Sequence, residues 1–113
     1  MRTTSRFFLF LALLVAVLVG SLIPRDPLAQ GSHVFDKLEH LTAYAMLMAA
    51  GMWAARGQRA HIIAGLLLAL GLVIEFGQSW MHLGREGSVL DALANTIGVG
   101  VGWAVARVWL RRV

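Results

Sequence analysis

Three groups of polar side chains interrupt otherwise apolar stretches, each at helical spacing. Asp36, His40 and Tyr44 recur at i, i+4 and i+8; Glu75, Gln78 and His82 at i, i+3 and i+7; Asp91 and Asn95 at i and i+4. Residues at these intervals share one face of a helix. Carboxylates, imidazoles, a phenol and amides together can move protons or grip a polar head group. In a reaction, Glu75 or Asp91 would act as general base, His40 as proton carrier and Arg85 as anion stabiliser. For binding, the set is Lys37, His40, Tyr44, Glu75, Gln78, Arg85, Asp91 and Asn95.

Cysteine is absent, which removes disulfides and thiolate chemistry. No serine elbow, phosphate loop or HExxH pair is present. His40, Glu75, His82 and Asp91 are chemically fit to hold a metal, but no motif fixes two of them on one helix. Neither a metal nor another cofactor is therefore expected.

Much of this polarity also has a structural explanation. Asp36 with Glu39, and Ser88 with Asp91, have the spacing of helix N-caps with their box partners. Asn95 and Gln78 suit interhelical hydrogen-bond clamps, and Gly98-x-x-x-Gly102 suits close helix packing. His33 and His61 fall at loop edges. Glu75 resists such explanations. It lies roughly eight residues, or 12 Å at 1.5 Å per residue, inside its helix. A carboxylate that deep in hydrocarbon needs a cationic partner or a proton. His40 and Arg85 are the expected partners, with Lys37 snorkelling outward.

The elements that position these residues are apolar. Of 113 residues 58% are hydrophobic and only 14% charged, with a mean hydropathy of +0.72. Soluble domains carry about a quarter charged residues. Four stretches, about 7–23, 38–55, 62–83 and 89–110, are long enough to span a bilayer, which needs about 17–25 residues. Backbone groups in lipid must be satisfied internally, so all four are helices. The prediction is an all-α membrane protein, a single domain over 1–113, with four transmembrane helices in a small antiparallel bundle. The first stretch also has features of a signal peptide: Arg2 and Arg6 as basic n-region and small residues at Leu28-Ala29-Gln30-Gly31. Its length and the breaks at Pro24 and Pro27 favour a retained helix. The segment from Pro24 to Phe35 is expected to be mostly irregular.

Lys and Arg set the orientation. Arg2, Arg6, Arg56, Arg59, Arg107, Arg111 and Arg112 fall on one side, and Arg25, Lys37 and Arg85 on the other. The positive-inside rule puts the larger set, and both termini, in the cytoplasm. All six carboxylates then lie towards the outer side. Trp53 and Trp109 fall near the inner interface and Trp80 near the outer one, as interfacial anchors. The basic residues sit at helix ends, where topology accounts for them without nucleic acid.

The polar motifs resemble those of the VanZ-like family of small bacterial membrane proteins. The matching residues are Asp36-Lys37-x-x-His40-x-x-x-Tyr44, Glu75-x-x-Gln78, and Gly84-Arg85-x-x-Ser88-x-x-Asp91-x-x-x-Asn95-x-x-Gly98, within about residues 34–103. The family is named for a protein linked to low-level teicoplanin resistance, and most members have no assigned activity. The resemblance implies a multi-pass protein of the bacterial cytoplasmic membrane with a shared polar site. It does not imply a reaction.

Three functions fit. One is a binding module for an anionic lipid or an amphiphilic envelope molecule, drawn to Lys37, Arg85 and two outward-facing helix N-termini. A second is an intramembrane enzyme acting on a lipid-linked substrate. A third is a structural or accessory subunit whose polar stripes serve as clamps; four short helices leave little room for a transport pathway, so a transporter would need oligomers or partners. Polar groups converging on an accessible pocket favour a site; groups paired off in a dry core favour the structural role.

Overall fold

The computed structural model describes residues 2–22, 33–81 and 89–112; of these, the side chains of 33–36, 78, 79 and 81 are left undescribed. The described chain is all-helical. Helix α1 covers Thr3–Leu22, α2 His33–Ala54, α3 Ala60–Met81 and α4 Val89–Arg111. The elongated molecule measures 45 × 23 × 22 Å, close to the roughly 40–45 Å thickness of a bilayer with its head groups.

Helices α1, α3 and α4 are long and apolar enough to cross a membrane, as a membrane protein requires. Helix α2 falls short of that measure although it is 22 residues long. Its first turns carry Asp36, Lys37, Glu39 and His40, which lower its mean hydropathy. Its neighbours compensate. Helix α2 packs against all three others, most extensively against α4, so much of its surface faces protein.

The core forms around α2. Tyr44, Leu47, Met48 and Met52 are buried with Ala64 and Leu67 of α3 and Val99 and Ala106 of α4. Helix α1 has no fully buried residue; Phe10, Leu13, Leu14 and Val17 pack onto this core from one side. Large apolar side chains elsewhere, among them Phe8, Leu66, Val73, Phe76 and Val105, point outward. Such an exterior suits hydrocarbon rather than water.

The α2–α4 contact depends on two glycines. A Cβ at Gly98 would overlap the Leu41 carbonyl, and one at Gly102 the Ala45 carbonyl. The contacts advance along both helices together, so α2 and α4 run in the same direction. The Gly98-x-x-x-Gly102 stripe lets two backbones touch, which is the packing explanation of that motif.

The α2–α3 connection is tight. Gly57 N–H donates to the Met52 carbonyl and Arg56 N–H to that of Trp53, the paired bonds of a Schellman ending. Arg56 (φ 55°), Gly57 (φ 80°) and Arg59 (φ 57°) all adopt positive φ. At the same end, the Arg6 guanidinium lies 5.0 Å from the Trp53 ring centroid and donates to the Trp53 carbonyl at 3.1 Å. Trp53 is thus a latch between α1 and α2, beyond the interfacial role expected of it.

Two sequence expectations need correction. Helix α2 begins at His33, so Asp36 lies within its first turns and is not the N-cap. The segment expected to be mostly irregular also gives up its last three residues, 33–35, to this helix. The rest of that segment, 23–32, lies outside the described residues.

Candidate functional site

The parallel contact of α2 and α4 sets two polar stripes face to face. At one end Lys37 Nζ and Asp91 Oδ1 form an ion pair. One turn further, His40 Nδ1 lies 3.0 Å from Asn95 Oδ1. An amide oxygen only accepts, so His40 Nδ1 carries the hydrogen of this bond. Beyond it come Leu41 on Gly98 and Ala45 on Gly102. Close backbone approach at the glycines therefore brings the polar ends of the two helices within hydrogen-bonding reach.

Asp91 is 4% exposed and Asn95 3%, whereas the Lys37 side chain keeps 27% of its surface. Lys37 does not snorkel away. Its ammonium turns to Asp91, because a buried carboxylate rewards a partner more than head-group water does. This corrects the expectation that Lys37 points outward.

Helix α3 closes the third side. A Cβ at Gly71 would stand 2.9 Å from Asn95 Nδ2 and 3.2 Å from the Tyr44 hydroxyl. Gly71 thus leaves room for two polar heads, and it sits one turn before Glu75. Sequence reasoning missed Gly71. The available signal was its i−4 spacing from Glu75, on the face that carries the other α3 polar residues.

Glu75 joins the same neighbourhood. It lies within electrostatic range of Tyr44, Asp91, His40 and Lys37. Its Oε1 is buried without a hydrogen-bond partner. That oxygen makes no hydrogen bond to His40, one of its two expected partners; the other, Arg85, lies outside the described residues. Buried polar atoms are nearly always satisfied, so an orphaned oxygen calls for an explanation.

Six of the eight predicted binding residues, Lys37, His40, Tyr44, Glu75, Asp91 and Asn95, are therefore brought together. Gln78 lies on α3 with its side chain outside the described residues, as does that of Asp36 on α2; Arg85, His82 and Ser88 lie outside them altogether. Among the described residues, no three His or carboxylate side chains are grouped as metal ligands would be.

An open cleft of about 500 Å³ between α1 and α2 reaches this cluster. His40 and Tyr44 line it, with Glu39, Thr42 and Ser21 adding polar groups and Leu13, Val17 and Met46 apolar ones. Sequence reasoning had assigned α1 no part in the site. Its contribution depends on how it docks on α2, and no polar motif announces that. No family model, curated protein or solved structure matches the chain, so its own geometry carries the functional reading.

Proposed function

We propose that the chain is a VanZ-like protein of the bacterial cytoplasmic membrane that binds an anionic lipid or another amphiphilic envelope molecule. In this reading all four helices cross the bilayer as a small antiparallel bundle, both termini are cytoplasmic, and the polar cluster lies in the outer half. A link to glycopeptide resistance follows from the family resemblance.

The observation that carries the proposal is the cleft between α1 and α2, whose wall is shared with the cluster through His40 and Tyr44. A polar cluster serving only as a clamp needs no such opening. An amphiphile would place its tail along Leu13, Val17 and Met46 and its polar head against His40 and Tyr44. Lys37 is already matched by Asp91. Positive potential for an anionic head then comes from Arg85 and from the N-terminal ends of α2 and α4.

One observation favours a second reading, an intramembrane enzyme for a lipid-linked substrate. The Glu75 carboxylate has a buried oxygen without a partner, in the electrostatic company of His40. That is the environment of a general base awaiting a substrate proton. Glu75 would take the proton, His40 would relay it and Asp91 would hold Lys37 in place.

Native mass spectrometry of the detergent-extracted protein tests the binding reading. The wild type should retain a lipid or glycolipid that Tyr44→Ala and Arg85→Ala both lose. Equal retention by all three proteins would leave the structural role as the better account.

A further inference from the structure

A second open cavity, about 430 Å³, lies at the opposite end of the molecule, between the α2–α3 turn, the start of α3 and the end of α4. Arg59, His61, Arg107 and Arg111 line it, and Trp103 and Leu110 give it an apolar side. Among the described residues no carboxylate lines it, and the sequence has none between 40 and 74 or after 91. Among the described residues, then, no acidic side chain offsets the positive charge of this cavity.

We infer that this cavity is a binding site for the phosphate head group of an anionic phospholipid. Guanidinium groups from the α2–α3 turn and from α4 converge on one space, and guanidinium pairs bidentately with phosphate oxygens. The first turn of α3 adds its positive dipole end. Trp103 and Leu110 supply a surface for the glycerol and first methylenes, which a soluble anion would not need. Basic pockets between membrane helices bind anionic lipid head groups for these reasons. The bias of Lys and Arg towards one side explains how many cations are at this end. It does not explain why three arginines share a cavity while Arg2 and Arg112 stay off it.

The site is separate from the polar cluster and does not depend on its function. The test uses the full chain in nanodiscs of phosphatidylcholine containing a minority of phosphatidylglycerol, read by native mass spectrometry after detergent release. Wild type should retain phosphatidylglycerol over phosphatidylcholine by at least about tenfold, the ratio that about 1.4 kcal/mol gives. Arg107→Gln with Arg111→Gln should abolish that preference. Arg2→Gln with Arg112→Gln removes the same charge from the same end and should preserve it. Equal loss in both pairs would reduce the effect to diffuse surface charge and overturn the site. Full retention in the first pair would do the same. If the glutamine pair fails to fold, Arg107→Lys with Arg111→Lys decides. That pair keeps the charge but loses the bidentate geometry, so the preference should fall severalfold, and an unchanged preference would overturn the proposal. Displacement of the lipid by inorganic phosphate at millimolar concentration would show that free phosphate is the occupant instead.

Discussion

Gly98 lies directly against the carbonyl of Leu41, so close that no side chain fits between α4 and α2. Gly102 repeats the contact on Ala45 one turn later. The polar pairs Lys37–Asp91 and His40–Asn95 lie further along the same seam. Close helix packing and site assembly are therefore one structural event.

Gly98→Ala and Gly102→Ala should each destabilise the fold by about 1–3 kcal/mol or more, because the obstacle is backbone that cannot rotate aside. Gly100→Ala is the control, since nothing lies within 4 Å of its Cβ position. Thermal unfolding in detergent should show large losses for the first two and none for the third. A Gly98→Ala variant as stable as Gly100→Ala would contradict the observed seam.

The Lys37–Asp91 pair joins a half-exposed cation to a buried carboxylate. A double-mutant cycle with Lys37→Gln and Asp91→Asn should give a coupling of about 1–3 kcal/mol, below the value for a fully buried pair because Lys37 is partly solvated. Coupling near zero would mean that the two side chains do not meet in the membrane.

Glu75→Gln keeps the shape of the side chain and removes its charge. If Glu75 serves a site, protein abundance should stay near wild type while lipid retention or any envelope phenotype is lost. If Glu75 is a structural liability, the change should be neutral or stabilising with function intact. Abundance by immunoblot and retention by mass spectrometry, taken together, separate the two.

Gly71→Ala pushes on the ends of two side chains, Asn95 Nδ2 and the Tyr44 hydroxyl, not on backbone. Its stability cost should be modest, about 1 kcal/mol. Its effect on ligand retention should be larger, since it displaces two site residues at once. A retention profile identical to wild type would remove Tyr44 and Asn95 from the site.

Cysteine-accessibility labelling tests the orientation, because the chain has no native cysteine. A cysteine at Ser32 should react with an impermeant reagent from outside intact cells, and one at Gln58, exposed in the α2–α3 turn, only after permeabilisation. The reverse pattern would falsify the cytoplasmic termini.

What the sequence determined by itself was periodicity and composition. Unbroken apolar runs leave the backbone no option but helix, and the boundaries of α1, α3 and α4 lie within a few residues of those read from them. The polar stripes on α2, α3 and α4 were equally legible, because i, i+4 spacing fixes a face whatever the tertiary packing. The glycine stripe at 98 and 102 was legible as a packing surface for the same reason.

Only the tertiary structure decided how these faces met. The direction in which Lys37 turns depends on a carboxylate 54 positions along the chain, brought near by the Gly98 and Gly102 contacts. Periodicity carries no information about such distant pairs. The i−4 spacing of Gly71 from Glu75 puts it on the polar face of α3, but only packing shows that Tyr44 and Asn95 come to rest against it. The partnerless oxygen of Glu75 was likewise decided by packing, which turns Lys37 to Asp91 and His40 Nδ1 to Asn95. The two cavities arise in the same way, from the angles at which α1 and the end of α4 dock, and those angles are set by side-chain volumes summed over whole interfaces, not by any single motif.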